Sequence, residues 1–351
     1  MTRREFVLLA LAMSRARAAR AGGALPVRVG VFGLFRPTRL AVRSGDGAPL
    51  ALLADRDAAV LRGGEVANLR ISDAAVEVSA RGRVVVASAV RIAGADGGAT
   101  RIEVEVPGRI RRTFRGRLDA QTMAGELRPV VTMDLETAVA SVVAAEQTTF
   151  AAAAALEAQA IAARSYFVAA PHRHRDADCC DTTHCQFLRE PPAAASAAAR
   201  AADETRDLVL AFRRRPFAAL YSSSCGGRTQ SLAEAGLAAG DGYPYFAVDC
   251  PTCARDAKAW DSRLSADPLA TRLERDRSEG ARLAVARRNG WSAVPGGRFD
   301  VHREGGAIVL HGRGAGHGIG LCQAGAAAMA RDGASARDIL AHYYPGAEVI
   351  D

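Results

Sequence analysis

The sequence predicts an α+β fold, with a β-rich amino-terminal part packed on a mixed α/β part. Between Leu25 and Arg128, short alternating or β-branched runs such as VRVGVFGL, RVVVASAV and RIEVEVP are separated by Gly and Asp, a pattern typical of strands and turns. From Leu135 onward, strong helix formers dominate and apolar residues recur at helical spacing. We therefore assign residues 23–128 to the β-rich part and residues 129–351 to the mixed part. The length of 351 residues and the 49% hydrophobic composition suffice for a substantial core.

The first 22 residues have the pattern of an export signal. In TRREFVLLALAM, two arginines and one glutamate precede a short apolar run, and small residues follow it. The run is too short for a permanent membrane anchor, which needs ~20 apolar residues. TRREFVL is similar to the twin-arginine export pattern, and an ordinary secretory signal is the alternative. We expect an exported protein that lies in the periplasm or at the cell wall.

Much of the positive charge lies in this same segment. Residues 1–20 contain five arginines and one glutamate, which is half of the formal net charge of +8. The remaining surplus is spread thinly, without a basic stripe interleaved with aromatic residues. This distribution suits a weak attraction to anionic cell-wall polymers and argues against nucleic acid as a partner.

The elements of the mixed part can be predicted in order. Residues 135–169 predict two helices with a break at Gln147–Phe150, and Pro171 ends the second helix. After Pro192 an alanine-rich helix precedes LVLAF and FAALYSSS, which together predict a β-hairpin. Residues 267–289 predict one charged, amphipathic helix. The end of the chain predicts a strand at AIVLHG, a glycine-rich loop, and helices over CQAGAAAMARDG and up to HYYPG.

Glu146 is a candidate general acid. It ends the apolar helix segment AVASVVAAE. Desolvation raises the pKa of a partly buried carboxyl group, which can then hold a proton near neutral pH. The alternative is an ordinary surface or capping glutamate at a helix end, since a lone carboxylate without partners is weak evidence for catalysis.

A loop rich in metal-ligand side chains follows the second helix. The segment HRHRDADCCDTTHCQ contains His172, His174, Cys179, Cys180, His184 and Cys185. Thiolates and imidazoles at these spacings can bind zinc, and three protein ligands leave one position open. A disulfide between Cys180 and Cys185 is the competing explanation. The chain has seven cysteines, an odd number, which indicates that disulfides alone do not account for all its thiols.

Two further segments are rich in cysteine or glycine. Cys250 and Cys253, in DCPTC, predict a local disulfide, and pairing of one of them with Cys225 is the alternative. The loop GRGAGHGIGLCQ carries His317, and its glycines permit a tight turn or a close backbone approach. It lacks the lysine and the Ser or Thr of a phosphate-binding loop, so we expect no nucleotide there.

Six motifs, taken in chain order, resemble the SpoIID/LytB family. They are the AAE of the first helix, AALEAQAIAARSY, CDTTHCQ, ALYSSSCGGRTQ, GHGIGLCQAGAAAMA and ILAHYYPG, and they extend over roughly residues 112–349. The resemblance implies a SpoIID-like fold and a lytic transglycosylase that cuts the MurNAc–GlcNAc bond of peptidoglycan glycan strands and leaves 1,6-anhydro-MurNAc ends. The family also includes an amidase modifier. A non-catalytic wall-binding partner that enhances an N-acetylmuramoyl-L-alanine amidase is therefore the alternative, and a zinc hydrolase is a third.

The resemblance also implies roles for individual residues. Glu146 would act as both general acid and general base, so one carboxylate would suffice where ordinary glycosidases use two. Zinc would be bound by His174, Cys180 and Cys185, with His184 as the alternative imidazole. The implied substrate-binding residues are Gln159, Arg164, Tyr166, Tyr221, Ser222, Ser223, Thr229, His317 and Gln323.

The sequence departs from the family pattern at two places. A proline and a tryptophan commonly follow the glutamate, whereas residues 147–152 contain only Phe150 as an aromatic residue. We therefore expect an altered sugar-stacking surface. Cys179 is an additional thiol beside Cys180, which leaves two candidates for one metal ligand.

Overall fold

The computed structural model describes residues 25–146, 152–169, 171–238 and 242–351. The expected export signal over residues 1–22 and the helix break at Gln147–Phe150 lie outside the described residues. Within the described part of the chain, no helix combines the length and the apolar character needed to cross a membrane. The architecture is α+β, as the sequence predicts: an antiparallel, nearly closed sheet comes first, and a mixed region of helices and small sheets follows.

The chain forms two compact units that are not consecutive in sequence. Unit 1 comprises the described residues of 1–148 and 167–207, and unit 2 comprises those of 149–166 and 208–351. The division falls inside the helix Ala153–Ala169. Unit 1 therefore contains Glu146 and the loop rich in histidine and cysteine, whereas unit 2 contains the glycine-rich loop.

Unit 1 is built on a sheet of twelve strands, joined in the order β12-β1-β11-β10-β9-β2-β5-β6-β7, with β8 pairing with β10 and β3, and β3 with β4. The strands are β1 Pro26–Gly30, β2 Arg39–Ser44, β3 Leu50–Ala54, β4 Asp57–Leu61, β5 Ala67–Ser72, β6 Ala75–Ala80, β7 Arg83–Ala87, β8 Ala89–Gly94, β9 Thr100–Val106, β10 Ile110–Met123, β11 Glu126–Asp134 and β12 Cys179–Cys180. Every second residue of β9 is buried, as expected for a sheet with one face on the core.

The long strand β10 changes neighbours at Gly116. Its residues 110–116 pair with β9, whereas residues 117–123 pair with β11 and residues 118–121 also pair with β8. Gly116 has a φ of +153°, and a Cβ there would lie 2.2 Å from the carbonyl oxygen of Thr132. The close approach of β11 at this switch therefore requires glycine.

The two helices predicted over residues 135–169 are confirmed as α1 Leu135–Glu146 and α2 Ala153–Ala169, and the alanine-rich helix as α3 Ala197–Glu204. Helix α1 begins where the Asp134 carboxylate accepts the N–H of Thr137 at 2.9 Å, a contact that satisfies an otherwise unpaired donor of the first turn. Helix α1 packs against α3 and β11. It holds Glu146 at its carboxyl end.

Unit 2 contains three small sheets and several short helices around its own core. The sheets have the orders β14-β13-β20, β15-β19 and β16-β18-β17. The strands are β13 Val209–Phe212, β14 Arg215–Pro216, β15 Tyr221–Ser222, β16 Ala259–Ser265, β17 Phe299–Glu304, β18 Ala307–Arg313, β19 Leu321–Cys322 and β20 Glu348–Ile350. The helices are α4 Pro251–Asp256, α5 Pro268–Arg272, α6 Glu279–Asn289, α7 Gln323–Arg331 and α8 Ala336–Tyr343.

The predicted hairpin of LVLAF and FAALYSSS is wrong in its second strand. β13 pairs with the short strand Arg215–Pro216 and with β20, whereas β15, within FAALYSSS, pairs in parallel with β19. The N–H of Leu321 donates to the Leu220 carbonyl at 3.1 Å. Gly320, with a φ of +69°, lets the two chains approach, since a Cβ there would lie 2.0 Å from that carbonyl oxygen. This pairing joins segments about a hundred residues apart, which a local pattern does not reveal.

The single helix predicted over residues 267–289 is also wrong, because the segment forms two helices, α5 and α6. Asp276 accepts the N–H of Ser278 at 3.0 Å, and the Ser278 hydroxyl accepts the N–H of Ala281 at 3.2 Å. Ser278 is thus the N-cap of α6. Side chains that bond to nearby backbone groups end one helix and start the next.

Candidate active site and metal centres

Glu146 is hydrogen-bonded to the residue that directly follows the loop rich in histidine and cysteine. It is half-buried at the end of α1, and its Oε1 accepts the backbone N–H of Phe187 at 2.9 Å. Phe187 lies two residues after Cys185. The hydrogen bond therefore fixes the carboxylate relative to the segment that carries the candidate metal ligands.

Four side chains of this loop bring their donor atoms within 4.8 Å of one another: His174, Cys180, His184 and Cys185. Nε2 of His174 is 3.2 Å from Sγ of Cys185. Nδ1 of His184 is 3.5 Å from the same sulfur and 3.8 Å from Sγ of Cys180. A tetrahedral zinc ion with bonds of about 2.0–2.3 Å sets its ligand atoms roughly 3.3–3.8 Å apart. This donor set and its spacing fit zinc.

His184 differs from the other three donors in its exposure. His174, Cys180 and Cys185 are half-buried, whereas His184 is exposed. Three protein ligands leave a zinc ion one open position, and four close the site. The position of the His184 imidazole therefore decides whether the site is open or closed.

The two candidate thiols, Cys179 and Cys180, differ in their surroundings, because adjacent residues of a strand point to opposite faces. Cys180 lies with the other donor atoms, whereas Cys179 is 2% exposed and is absent from the group. Burial raises the pKa of the Cys179 thiol well above its usual value. A hydrogen bond from Cys185, by contrast, lowers the pKa of Cys180 to about 4.

Two aspartates that were not among the predicted site residues anchor this loop to the first strand. β12 pairs in parallel with β1, with Cys179 opposite Val29. Just before β12, the Asp178 carboxylate accepts the backbone N–H groups of Arg28 at 3.0 Å and His172 at 3.2 Å. The signal in the sequence is DCCD, in which an aspartate stands on each side of the cysteine pair.

Asp181, which directly follows Cys180, forms a buried ion pair. It is 3% exposed and accepts the N–H of Phe32 at 3.3 Å and Nη1 of Arg112 at 2.6 Å. Burial raises the pKa of Asp181 to about 6, against the opposing effect of the Arg112 charge. The β-rich sheet thus positions the candidate metal-ligand loop directly.

In unit 2, the predicted residues Gln159, Ser222 and Gln323 are all buried. Nε2 of Gln323 donates to Oε1 of Gln159 at 3.3 Å. Nε2 of Gln159 and Oγ of Ser222 are both buried, and neither has a hydrogen-bond partner among the described residues. Ser222 pairs with Cys322, the residue before Gln323. Buried polar groups in folded proteins are usually satisfied, so these two atoms call for a partner.

Other predicted residues of unit 2 make internal contacts. Nη1 of Arg164 donates to the Leu208 carbonyl at 3.1 Å, and the Thr229 hydroxyl accepts the N–H of Val248 at 2.7 Å. Tyr166 is buried, Tyr221 is half-buried and Ser223 is exposed. These contacts tie strands and loops together, and a contact of these residues with sugar stays a prediction.

His317 has a defined tautomer in the glycine-rich loop. Its Nδ1 accepts the N–H of Ile319 at 3.0 Å, so a neutral imidazole carries its proton on Nε2. Burial lowers the pKa of His317 below its usual value of 6.5. The ring is therefore held in the neutral form, in which Nε2–H is a hydrogen-bond donor.

A second group of potential metal ligands was not predicted. The Sγ atoms of Cys225, Cys250, Cys253 and Cys322 lie within 4.8 Å of one another, and all four residues are buried. The expected disulfide between Cys250 and Cys253 is not present, since all seven cysteines are free. The C-x-x-C spacing in DCPTC is the signal for this group, but its other two members lie in different motifs.

Comparisons with known proteins agree with the resemblance. Residues 123–212 match the family model SpoIID, stage II sporulation protein, and this range includes Glu146 and the metal-ligand loop. An uncharacterized protein of Brachyspira hyodysenteriae (strain ATCC 49526 / WA1) is 27% identical over 230 residues, which cover 56% of this chain and 61% of that protein.

Stage II sporulation protein D of Bacillus amyloliquefaciens is 43% identical over 53 residues, and that of Bacillus subtilis (strain 168) is 40% identical over 53 residues. These matches cover 15% of this chain and 15% and 16% of the two Bacillus proteins. In each of these comparisons the chain spans less than two thirds of the relative's length. The chain contains a SpoIID domain and is distantly similar to stage II sporulation protein D.

Proposed function

We propose that this protein is a peptidoglycan lytic transglycosylase in which Glu146 transfers the protons. The SpoIID/LytB family includes such enzymes, and the matched SpoIID region contains Glu146. The observation that supports the proposal is the hydrogen bond from Phe187 to Oε1 of Glu146, because it links a half-buried carboxyl group to the residue that follows the candidate metal-ligand loop. The proposed substrate is a glycan strand of peptidoglycan, encountered after export.

In the proposed reaction, Glu146 starts as the acid. It donates its proton to the glycosidic oxygen between MurNAc and GlcNAc as the bond from that oxygen to C1 of MurNAc breaks. The C6 hydroxyl of the same MurNAc then forms a new bond to C1, and the Glu146 carboxylate accepts the hydroxyl proton. The products are a 1,6-anhydro-MurNAc end and a free GlcNAc hydroxyl. No water is consumed, and Glu146 is again protonated.

The N–H of Phe187 assigns different roles to the two carboxyl oxygens of Glu146. Oε1 already accepts this hydrogen bond, and an N–H donor disfavours a proton on the oxygen that it contacts. The transferable proton is therefore carried by Oε2. Because the same N–H also stabilises the carboxylate, it keeps the side chain in one orientation through both proton transfers.

We infer that zinc is the metal of the His/Cys loop, held by His174, Cys180 and Cys185, with the exposed His184 as a fourth, displaceable ligand. When bound, zinc would supply a fixed positive charge and would crosslink the loop. Phe187 follows this loop directly, so a rigid loop keeps its N–H in place for Glu146. In unit 2, we propose hydroxyl and acetamido groups of a sugar as partners of Nε2 of Gln159 and Oγ of Ser222, two buried atoms that would have to become accessible when a glycan binds.

The test is an assay of purified glycan strands, with anhydro-muropeptides measured by mass spectrometry. The wild-type protein should form them, and Glu146→Gln should form them at least about 100-fold more slowly, since a general acid–base group contributes at least that much. Glu136→Gln, which removes the carboxylate in the first turn of the same helix, is the matched control and should stay active.

Two other outcomes would each support a different function. Absence of anhydro product from the wild-type protein, together with faster cleavage by an added N-acetylmuramoyl-L-alanine amidase, would contradict the proposal and identify an amidase enhancer. Incorporation of labelled oxygen from water into the cut glycan end would instead identify a hydrolase.

A further inference from the structure

We infer that Cys225, Cys250, Cys253 and Cys322 form a structural zinc site in unit 2, separate from the His/Cys loop of unit 1. The chain would therefore bind two zinc ions. The inference concerns only unit 2 and does not depend on the proposed enzymatic activity.

The first argument is the arrangement of the four sulfur atoms. All of them lie within 4.8 Å of one another, and the Sγ atoms of Cys253 and Cys322 are 3.4 Å apart. Zinc–sulfur bonds of about 2.3 Å in a tetrahedron place the sulfur atoms roughly 3.8 Å apart. A disulfide would require a separation of about 2.05 Å and would join the sulfurs as pairs. The observed group is a compact set of four.

The second argument comes from the hydrogen bonds that the sulfur atoms receive. Sγ of Cys322 accepts the backbone N–H groups of Cys225 and Gly325, each at 3.4 Å. A thiolate is a far better acceptor than a disulfide sulfur, and charge-assisted bonds to it are correspondingly stronger. Donors of this kind are common around metal-bound ligands, whose charge and orientation they tune.

Two hydroxyl groups extend the same pattern to two other sulfurs. Oη of Tyr343 is 3.3 Å from Sγ of Cys250, and Oγ of Ser224 is 3.4 Å from Sγ of Cys253. Each hydroxyl can donate its proton to a thiolate. Three of the four sulfurs thus have partners able to stabilise the negative charge that four thiolates would bring to a zinc ion.

The third argument is the close packing at Gly325, in the first turn of α7. A Cβ at this position would lie 2.6 Å from Sγ of Cys250 and 1.9 Å from Oη of Tyr343. Only glycine lets the helix approach this sulfur so closely. The packing of the four cysteines therefore requires glycine at position 325.

The chemistry of the site is structural, because four cysteine ligands leave zinc no open position. The exposed fraction of each cysteine is 2% or less, so solvent and substrate are excluded. The ion would fasten the loop after β15 and helix α4 to the start of α7. Cys322 immediately precedes Gln323, so the same ion would hold that side chain beside Gln159.

The experiment uses the full chain carrying Cys180→Ser and Cys185→Ser, which removes the thiol ligands of the first site. We expect about one zinc per chain, with an X-ray absorption spectrum that contains only sulfur neighbours at about 2.3 Å. Addition of Cys253→Ser should remove this zinc. A folded double variant without zinc, or with nitrogen or oxygen neighbours around the metal, would overturn the inference.

A second measurement avoids any variant that fails to fold. The wild-type protein is denatured with a chelator and without reductant, treated with a thiol-alkylating reagent, and mapped by peptide mass spectrometry. Zinc-bound thiols become fully labelled at all four positions, whereas disulfides would leave them unlabelled and overturn the inference. Neither measurement reads out activity, so loss of the proposed transglycosylase function would leave this result unchanged.

Discussion

Arg112 of β10 and Asp181, the residue after Cys180, form a buried ion pair, with Nη1 of Arg112 2.6 Å from Oδ2 of Asp181. The exposed fractions of the two side chains are 10% and 3%. The guanidinium group also lies 5.4 Å from the centre of the Phe32 ring. One arginine of the β-rich sheet therefore holds the backbone next to a candidate metal ligand.

We expect Arg112→Met to lower the free energy of unfolding by about 3–5 kcal/mol, because it leaves the Asp181 carboxylate buried without its partner. Urea unfolding at neutral pH measures the change. Arg91→Met is the control: Arg91 pairs with Asp119 at 2.7 Å but is 52% exposed, so its loss should cost at most about 1 kcal/mol. Equal effects of the two substitutions would contradict the role assigned to the buried pair.

Gly116→Ala should destabilise unit 1 by about 1–3 kcal/mol or more, since the new Cβ would collide with the Thr132 carbonyl where β10 changes neighbours. Gly125→Ala, in the turn between β10 and β11, is a matched control. Gly125 also has a positive φ, of +75°, but a Cβ there would meet no atom within 4 Å. Thermal unfolding of both variants separates the collision from the backbone strain. If Gly125→Ala were as unstable as Gly116→Ala, backbone strain alone would explain the loss of stability, and the collision would be ruled out as its cause.

Cys185→Ser should remove about one equivalent of zinc from the purified, untagged protein. Sγ of Cys185 contacts the imidazoles of both His174 and His184, and the substitution deletes this ligand. Metal analysis by mass spectrometry provides the measurement. Cys179→Ser changes a neighbouring thiol that lies outside both groups of donors, and it should keep the zinc content of the wild-type protein. Retention of all zinc by Cys185→Ser would exclude this loop as a metal site.

In acid, His317 should lower the free energy of unfolding of the protein. Because the folded state lowers the pKa of His317, the unfolded chain binds the proton more readily below about pH 6.5. This contribution is present in full above the unfolded pKa and is lost as the pH falls below it. His317→Asn keeps an acceptor for the N–H of Ile319 without a titrating ring. Urea midpoints at pH 7.5 and 5.5 should fall more for the wild-type protein than for His317→Asn, and parallel decreases would contradict the prediction.

The features that depend on near neighbours along the chain could be predicted from the amino-acid sequence. The ends of α1 and α2, the strand-rich first part, and the His/Cys loop could all be predicted, because periodicity and helix propensity act over a few residues. His174 and Cys185 are only eleven residues apart, so closing the short loop between the two ligands costs little conformational entropy. The candidate acid Glu146 was recognised from its motif.

Which distant segments support these residues became known from the folded structure. The Arg112–Asp181 pair spans 69 residues, and the N–H of Cys225 reaches Cys322 across 97 residues. Local propensity does not encode such contacts, because they depend on which strands pair and on where glycines permit backbones to meet. The predictions of the hairpin's second strand and of a disulfide among the unit 2 cysteines were wrong because both depend on contacts between distant segments. The sequence analysis had nevertheless singled out the residues involved.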